Sequence, residues 1–225
     1  VSSTPGKSIT FESLTPGSYA IVIKAFKPTS KEFAACGEKS GIIVKAGATT
    51  YETITLKWVI TDWTTLSAKL NNVKDDVGNV YVSGDFEIAS TISFSGTAKI
   101  IPTGTRVTFR RKKGYASNFF SLYSASLTFK GSESAPIVFD GNSETQTSNL
   151  ITKGGTTTFE NCRFENNTSS SDGGAVYIAA SATVTFSNCT FNNNEASSCG
   201  GAVYIKAEAI GTFSNCTFKS NTASH

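Results

Sequence analysis

The chain contains no methionine, and its one histidine, His225, is the last of its 225 residues. With so little histidine, His-dependent acid–base catalysis, Ser-His or Cys-His nucleophiles and His-rich metal sites are excluded. Charge is sparse and balanced: 20 basic residues against 17 acidic ones leave a net charge of +3. That balance singles out no nucleic acid and no acidic partner. No apolar run approaches the ~18 residues of a membrane-spanning helix. The N-terminus lacks a charged segment followed by an apolar one, so signal and membrane attachment are expected only from segments of a longer protein. No phosphate-binding loop or nucleotide fingerprint occurs, and no cofactor is expected. Helical periodicity is missing from all but one stretch.

What is present is repetition. Phe159-Glu160-Asn161-Cys162-Arg163-Phe164-Glu165-Asn166-Asn167 returns as Phe186-Ser187-Asn188-Cys189-Thr190-Phe191-Asn192-Asn193-Asn194, then as Phe213-Ser214-Asn215-Cys216-Thr217-Phe218-Lys219-Ser220-Asn221. Between the copies stand Gly173-Gly174-Ala175-Val176-Tyr177-Ile178 and Gly200-Gly201-Ala202-Val203-Tyr204-Ile205, and every matched position lies 27 residues from its counterpart. A fixed period of this size marks a solenoid. The segments are short, rich in Val, Ile, Thr, Phe and Tyr, and separated by Gly, Asn and Ser, which makes them strands. At ~3.3 Å per residue, one repeat suits a coil of about three short strands. The fold expected is all-β: a right-handed parallel β-helix of three-stranded coils.

Recurring residues fit inward stacks, and the interleaved positions 160, 163 and 165, which change between coils, fit the solvent face. Coils stacked at ~4.8 Å then place Phe159, Phe186 and Phe213 in one aromatic column and Cys162, Cys189 and Cys216 in another. Asn161, Asn188 and Asn215 are expected to form an inward amide ladder at a bend. The thiols lie within disulfide distance, but side chains stacked in parallel point the same way, which favours a column of buried free thiols. Cys36 and Cys199 are solitary, and Cys199 matches Asp172 at an exposed bend.

Phe164-x-x-Asn167, Phe191-x-x-Asn194 and Phe218-x-x-Asn221, alternating with Gly173-Gly174-Ala175 and Gly200-Gly201-Ala202, resemble a known repeat pair. It is the F-x-x-N and G-G-A-[ILV] signature of the chlamydial polymorphic outer membrane proteins, found also in β-helical surface proteins of spirochaetes. The signature spans residues 159–221. The resemblance implies a bacterial outer-membrane, cell-surface or secreted protein of the autotransporter-passenger kind. It further implies an adhesin that contacts a host-cell or extracellular-matrix component, with a glycan as one candidate, and the chain is expected to be monomeric.

The rest of the chain is less regular. Residues 1–57 read as a separate small β-domain, with strands at Ser8–Leu14, Ser18–Phe26, Gly41–Ala46 and Thr49–Lys57. Phe11-x-x-Leu14-x-Pro16-Gly17-x-Tyr19 resembles a corner of transthyretin-like or carboxypeptidase-regulatory-like sandwiches. Residues 58–225 form the solenoid. Within it, residues 61–73 read as an amphipathic helix capped by Thr61 or Asp62, with Trp63, Leu66, Leu70 and Val73 on one face. Laid across the open first coil, such a helix protects an edge that would otherwise pair with other chains. Strands of irregular spacing follow from Val80 to Phe139, and Thr108-Phe109, Thr128-Phe129, Thr158-Phe159 and Thr185-Phe186 read as one recurring position. Arg110-Arg111-Lys112-Lys113 reads as a solvated turn, with contact to anionic sugar or lipid headgroups as the alternative.

Parallel β-helices include polysaccharide lyases, which gather carboxylates on one exposed sheet. Here Asp140, Glu144, Glu160, Glu165 and Asp172 are scattered, and neither Glu160 nor Glu165 repeats in the next coil. The chain is therefore expected to be non-catalytic, with a polysaccharide-binding or polysaccharide-cleaving solenoid, or a passive spacer, as the alternatives. Two further patterns stand out. Thr156-x-Thr158 and Thr183-x-Thr185 begin the flat outward Thr-x-Thr row that binding to ice or a crystal surface needs, a row that Ile210-Gly211-Thr212 interrupts. Asn166-Asn167-Thr168, Asn188-Cys189-Thr190 and Asn215-Cys216-Thr217 match the N-glycosylation pattern, and read as by-products of asparagine stacking.

Overall fold

The computed structural model describes residues 11, 13–26, 33–47, 49–50, 54, 56–104, 106–146 and 150–225. The chain divides into two compact units, Val1–Trp58 and Val59–His225.

In the first unit, β1 (Gly17–Phe26) and β2 (Phe33–Val44) form an antiparallel hairpin. The strand expected at 41–46 is the end of the longer β2, which residues 33–40 extend. Lys57 and Trp58 pair antiparallel with Cys36 and Ala35. The Tyr19 hydroxyl donates to Thr15 O at 2.6 Å, closing the corner before β1. Residues 8–10 and 12 of the strand expected at 8–14, and 51–53 and 55 of that expected at 49–57, lie outside the described residues.

The second unit is a solenoid of parallel strands in three sheets. Sheet I contains Asp76–Val82, Ile92–Phe94, Thr97–Pro102, Phe120–Lys130, Leu150–Glu160, and the pairs Val176–Ile178 with Ala182–Ser187 and Val203–Ile205 with Ile210–Ser214. Sheet II contains Asp85–Ile88, Val107–Arg111, Ile137–Asp140, Cys162–Glu165, Thr190–Asn192 and Thr217–Lys219. Sheet III is a narrow ribbon of Thr145–Gln146, Thr168–Ser169, Glu195–Ala196 and Thr222–Ala223. A residue of left-handed conformation bends sheet I into two limbs in successive coils: Ser124 (φ 52°), Gly154 (75°), Ser181 (64°) and Glu208 (66°).

Pairing is in strict register where the sequence repeats. Phe159 opposes Phe186 and Phe186 opposes Phe213. Phe164 opposes Phe191 and Phe191 opposes Phe218. Phe129, Phe159, Phe186 and Phe213 stack with centroids 5.1, 5.1 and 4.9 Å apart. Phe139, Phe164, Phe191 and Phe218 stack at 5.0, 4.7 and 4.6 Å. The two columns meet edge-to-face, as between Phe186 and Phe191 at 5.2 Å. Each ring thus gains offset-stacked and T-shaped contacts beyond its burial. Phe109 belongs to the sheet II column, opposite Phe139, so Thr108-Phe109 is a different position from Thr128-Phe129.

The helix, α1, spans Trp63–Leu70, and the Asp62 side chain caps it by accepting from Thr65 N at 2.8 Å. Trp63, Leu66 and Leu70 are buried. The Trp63 indole meets Phe109 and Phe120 edge-on at 6.0 and 5.6 Å, and its Nε1 donates to Ser90. An apolar helix face therefore closes the core at the first coils, where unpaired rings would otherwise meet water.

Candidate binding face

The corners between sheets decide what the outer faces present. Asn161, Asn188 and Asn215 do not form the expected inward ladder. They sit at the turn from sheet I to sheet II with φ of 49°, 54° and 53°, the left-handed region that asparagine tolerates best among side chains with a Cβ. Asn161 Nδ2 donates to Gly131 O at 3.2 Å, and Asn188 and Asn215 are exposed.

The buried ladder is built instead by the repeat-motif residues Asn167, Asn194 and Asn221. Asn167 Nδ2 and Asn194 Nδ2 each donate to the Oδ1 of the next asparagine at 2.8 Å. Their second protons go to Phe139 O and Phe164 O, and Asn221 Nδ2 donates to Phe191 O. The backbone N–H groups of Asn167 and Asn194 also bond the next Oδ1, at 3.2 and 3.0 Å. These bonds matter because Asn167 and Asn194 are essentially without solvent contact, where an unpaired amide is costly.

The glycine pair leads from sheet III back to sheet I. Gly173 and Gly200 have φ of 68° and 69°. A Cβ at Gly174 would lie 2.0 Å from Gly201 O, so adjacent coils approach there too closely for any side chain. Ala175 and Ala202 follow, both buried.

Cys162 and Cys189 are buried free thiols directed into the core, and Cys216 is half-buried. Their Sγ atoms donate to backbone carbonyls, Cys189 to Phe159 O and Ser187 O at 3.4 Å each. Burial pushes the Cys162 and Cys216 thiols up, so both stay protonated and unreactive at neutral pH. Cys199 is a half-exposed free thiol whose backbone N–H bonds Asp172 Oδ1 at 3.1 Å.

Arg111 corrects the reading of the basic run as a solvated turn. Its side chain is buried, its guanidinium lies 4.4 Å over the Phe119 ring, and it donates to Tyr115 O and Ser117 O. Burial lowers its pKa to about 10, so it remains a cation at neutral pH. Arg110 is tied to Asp140 at 2.9 Å and Lys112 lies 3.4 Å from Glu87. The run is therefore largely spent on local pairing.

The five carboxylates singled out from the sequence are mostly dispersed. Asp140 accepts from Arg110 Nε, Asn142 N and Asn166 Nδ2. Glu160 faces Lys130 at 3.9 Å, at the end of sheet I. Asp172 lies at the corner after sheet III and Glu144 in the loop before it. Only Asp140 and Glu165 come together, as register neighbours on sheet II. Among the described residues no cluster of three or more His, Cys, Asp or Glu side chains could hold a metal ion.

The most regular surface is the outer side of the second limb of sheet I. Its inward positions are Leu127, Phe129, Phe159, Val184 and Phe186, all buried. The outward ones fall into rows by register. One row is Ser126, Thr156, Thr183 and Ile210, and the next is Lys99, Thr128, Thr158, Thr185 and Thr212. A third is Lys130, Glu160, Ser187 and Ser214, in which the two charges oppose each other. Repetition at 27 residues shows only part of this surface. Ser126-x-Thr128 belongs to it too, but its coil is longer. On the first limb Tyr177 and Tyr204 stack with each other at 5.4 Å, and Lys153 covers the Tyr123 ring at 5.1 Å.

The family described as the right-handed β-helix region matches residues 79–225. No curated protein and no solved structure is significantly similar to the chain. Strands that return in parallel register through three sheets, over the same residues that the family match covers, place this chain in the right-handed β-helix family.

Proposed function

We propose that the chain is a non-catalytic bacterial cell-surface β-helix, the passenger-type segment of an adhesin that touches a host-cell or matrix surface, glycan included. The observation that carries this reading is the outer face of the second limb of sheet I. It repeats the same uncharged hydroxyl chemistry coil after coil, with its charges confined to Lys99 and the Lys130–Glu160 pair. Such a face offers broad, shallow contact in place of a converging site. Each exposed hydroxyl bond contributes little net, so one copy binds weakly, and many copies on one cell raise overall avidity. The F-x-x-N and G-G-A-[ILV] resemblance supports export to the cell surface.

A polysaccharide-cleaving reading rests on one observation, the neighbouring carboxylates of Asp140 and Glu165. Arg110 and two amide donors occupy Asp140, which favours a structural role for it. The test displays the chain on beads, measures attachment to epithelial cells with soluble monomer as competitor, and incubates it with acidic and neutral polysaccharides. Attachment that the monomer competes away, without product release, supports the adhesin. Reducing-end or unsaturated products that vanish with Asp140→Asn overturn it, and no attachment by a folded chain points to a spacer.

A further inference from the structure

We propose that Asn188 and Asn215 are acceptors for N-linked sugar. Asn188-Cys189-Thr190 and Asn215-Cys216-Thr217 carry the required pattern, whose usual place is an exposed loop. Were these asparagines the buried ladder, the pattern would be a consequence of stacking. The structure gives that duty to Asn167, Asn194 and Asn221. The left-handed φ still accounts for asparagine at the corner, but neither it nor stacking requires a threonine two residues on.

Asn188 and Asn215 lie exposed at the sheet I to sheet II corner, and neither carboxamide bonds any described residue. Their counterpart Asn161 makes the contrast. It is followed by Cys162 and Arg163, so it lacks the pattern, and its carboxamide is bonded to Gly131 O. The free amides are thus the two that have threonine two residues on. Strand alternation holds both groups outward. Cys189 points into the core, while Thr190 faces out in register with Thr217. The competing patterns are occupied. Asn166 Nδ2 bonds Asp140 and its Oδ1 accepts from Asn193, and Asn167, the start of Asn167-Thr168-Ser169, is buried in the ladder.

In the transfer, the asparagine Nδ2 attacks the anomeric carbon of a sugar carried on a diphosphate. The C–N bond forms, the C–O bond to phosphate breaks, the diphosphate leaves with the electron pair, and the amide gives up one proton. A separate glycosyltransferase supplies the donor, either a nucleoside-diphosphate hexose or a lipid-linked oligosaccharyl diphosphate. A nucleoside-diphosphate donor leaves a single hexose, and a lipid-linked donor leaves an oligosaccharide. The product therefore reports the donor. The inference is independent of adhesion and requires only that the chain meet the transferase.

The whole chain would be produced in a eukaryotic secretory pathway, and separately in a bacterial cytoplasm with a soluble asparagine hexosyltransferase. Intact mass and peptide mapping read both. The expected result is a sugar mass mapped to Asn188 or Asn215 in at least one arm. It should persist with Thr190→Ser/Thr217→Ser and disappear with Thr190→Ala/Thr217→Ala and with Asn188→Gln/Asn215→Gln, at unchanged circular dichroism. A folded wild-type chain without sugar in both arms, or with sugar mapped only elsewhere, would overturn the proposal. Mapping the wild type decides the matter even if a variant fails to fold.

Discussion

The coils before Leu150 and those after it fill the same interior by different means. After it, identical residues lie in register, so each column of rings, thiols and amides is one residue type repeated. Before it, the spacing changes from coil to coil. Asp85 pairs with Thr108, Thr108 with Val138, and Ile137 with Cys162. There the interior is closed by particular parts: the helix α1 across the first rings, and Arg111 spread over Phe119 and bonded to the loop behind it. Sheets I and II run through both regions without interruption. Parallel pairing thus tolerates changes of coil length if the extra residues go to corners. A strict repeat matters only where polar side chains must meet their own copies.

That contrast can be broken experimentally, beginning where the effect is largest. Phe191→Ala should cost about 3–5 kcal/mol, because the ring has stacked neighbours on both sides and an edge contact across the core. Phe218→Ala, at a ring half in solvent, should cost much less, and equal losses in urea unfolding would contradict the column account. Arg111→Ala should cost roughly 2–3 kcal/mol by stripping Tyr115 O and Ser117 O of their donor, with proteolysis appearing first between residues 112 and 119. Damage spread evenly over the later coils would refute its role as a local plug. Gly174→Ala should cost about 1–3 kcal/mol through collision with Gly201 O, read as a lowered melting temperature. Thr185→Ala, on the outer row, should stay within about 0.5 kcal/mol while weakening surface attachment.

Much of this was legible in the sequence, and the failures have physical causes. A period of 27 with recurring Phe defines stacked coils, because only identical register places like beside like. Trp63, Leu66 and Leu70 announce an amphipathic cap by their spacing. The amide ladder was misplaced because two asparagine columns share one period. Asn161 and Cys162 cannot both point inward along an extended strand, and the same holds for Asn166 and Asn167. One member of each pair must take the bend, and it is the first in both, with φ of 49° and 55°. That choice depends on which carbonyls the corner brings near, which spacing does not encode. Arg111 was hidden by its neighbours, since a charge run reads as solvent-facing until packing shows one member turned inward. Thr128 was matched to Thr158 and Thr185, but Ser126 escaped the row because the segment from sheet I to sheet II is longer in its coil than in the later ones.

Two asparagine columns run through the coils, and only one of them holds the coils together. Asn194→Ala and Asn188→Ala, measured side by side by thermal and urea unfolding, test it. Asn194 accepts from Asn167 N and Nδ2 and donates to Phe164 O and Asn221 Oδ1, so its loss should cost roughly 3–5 kcal/mol in unpaired buried groups. Asn188 is exposed and its change should cost no more than about 0.5–1 kcal/mol, the worth of its left-handed corner. Equal destabilisation, or a larger effect at Asn188, would contradict the ladder at Asn167, Asn194 and Asn221.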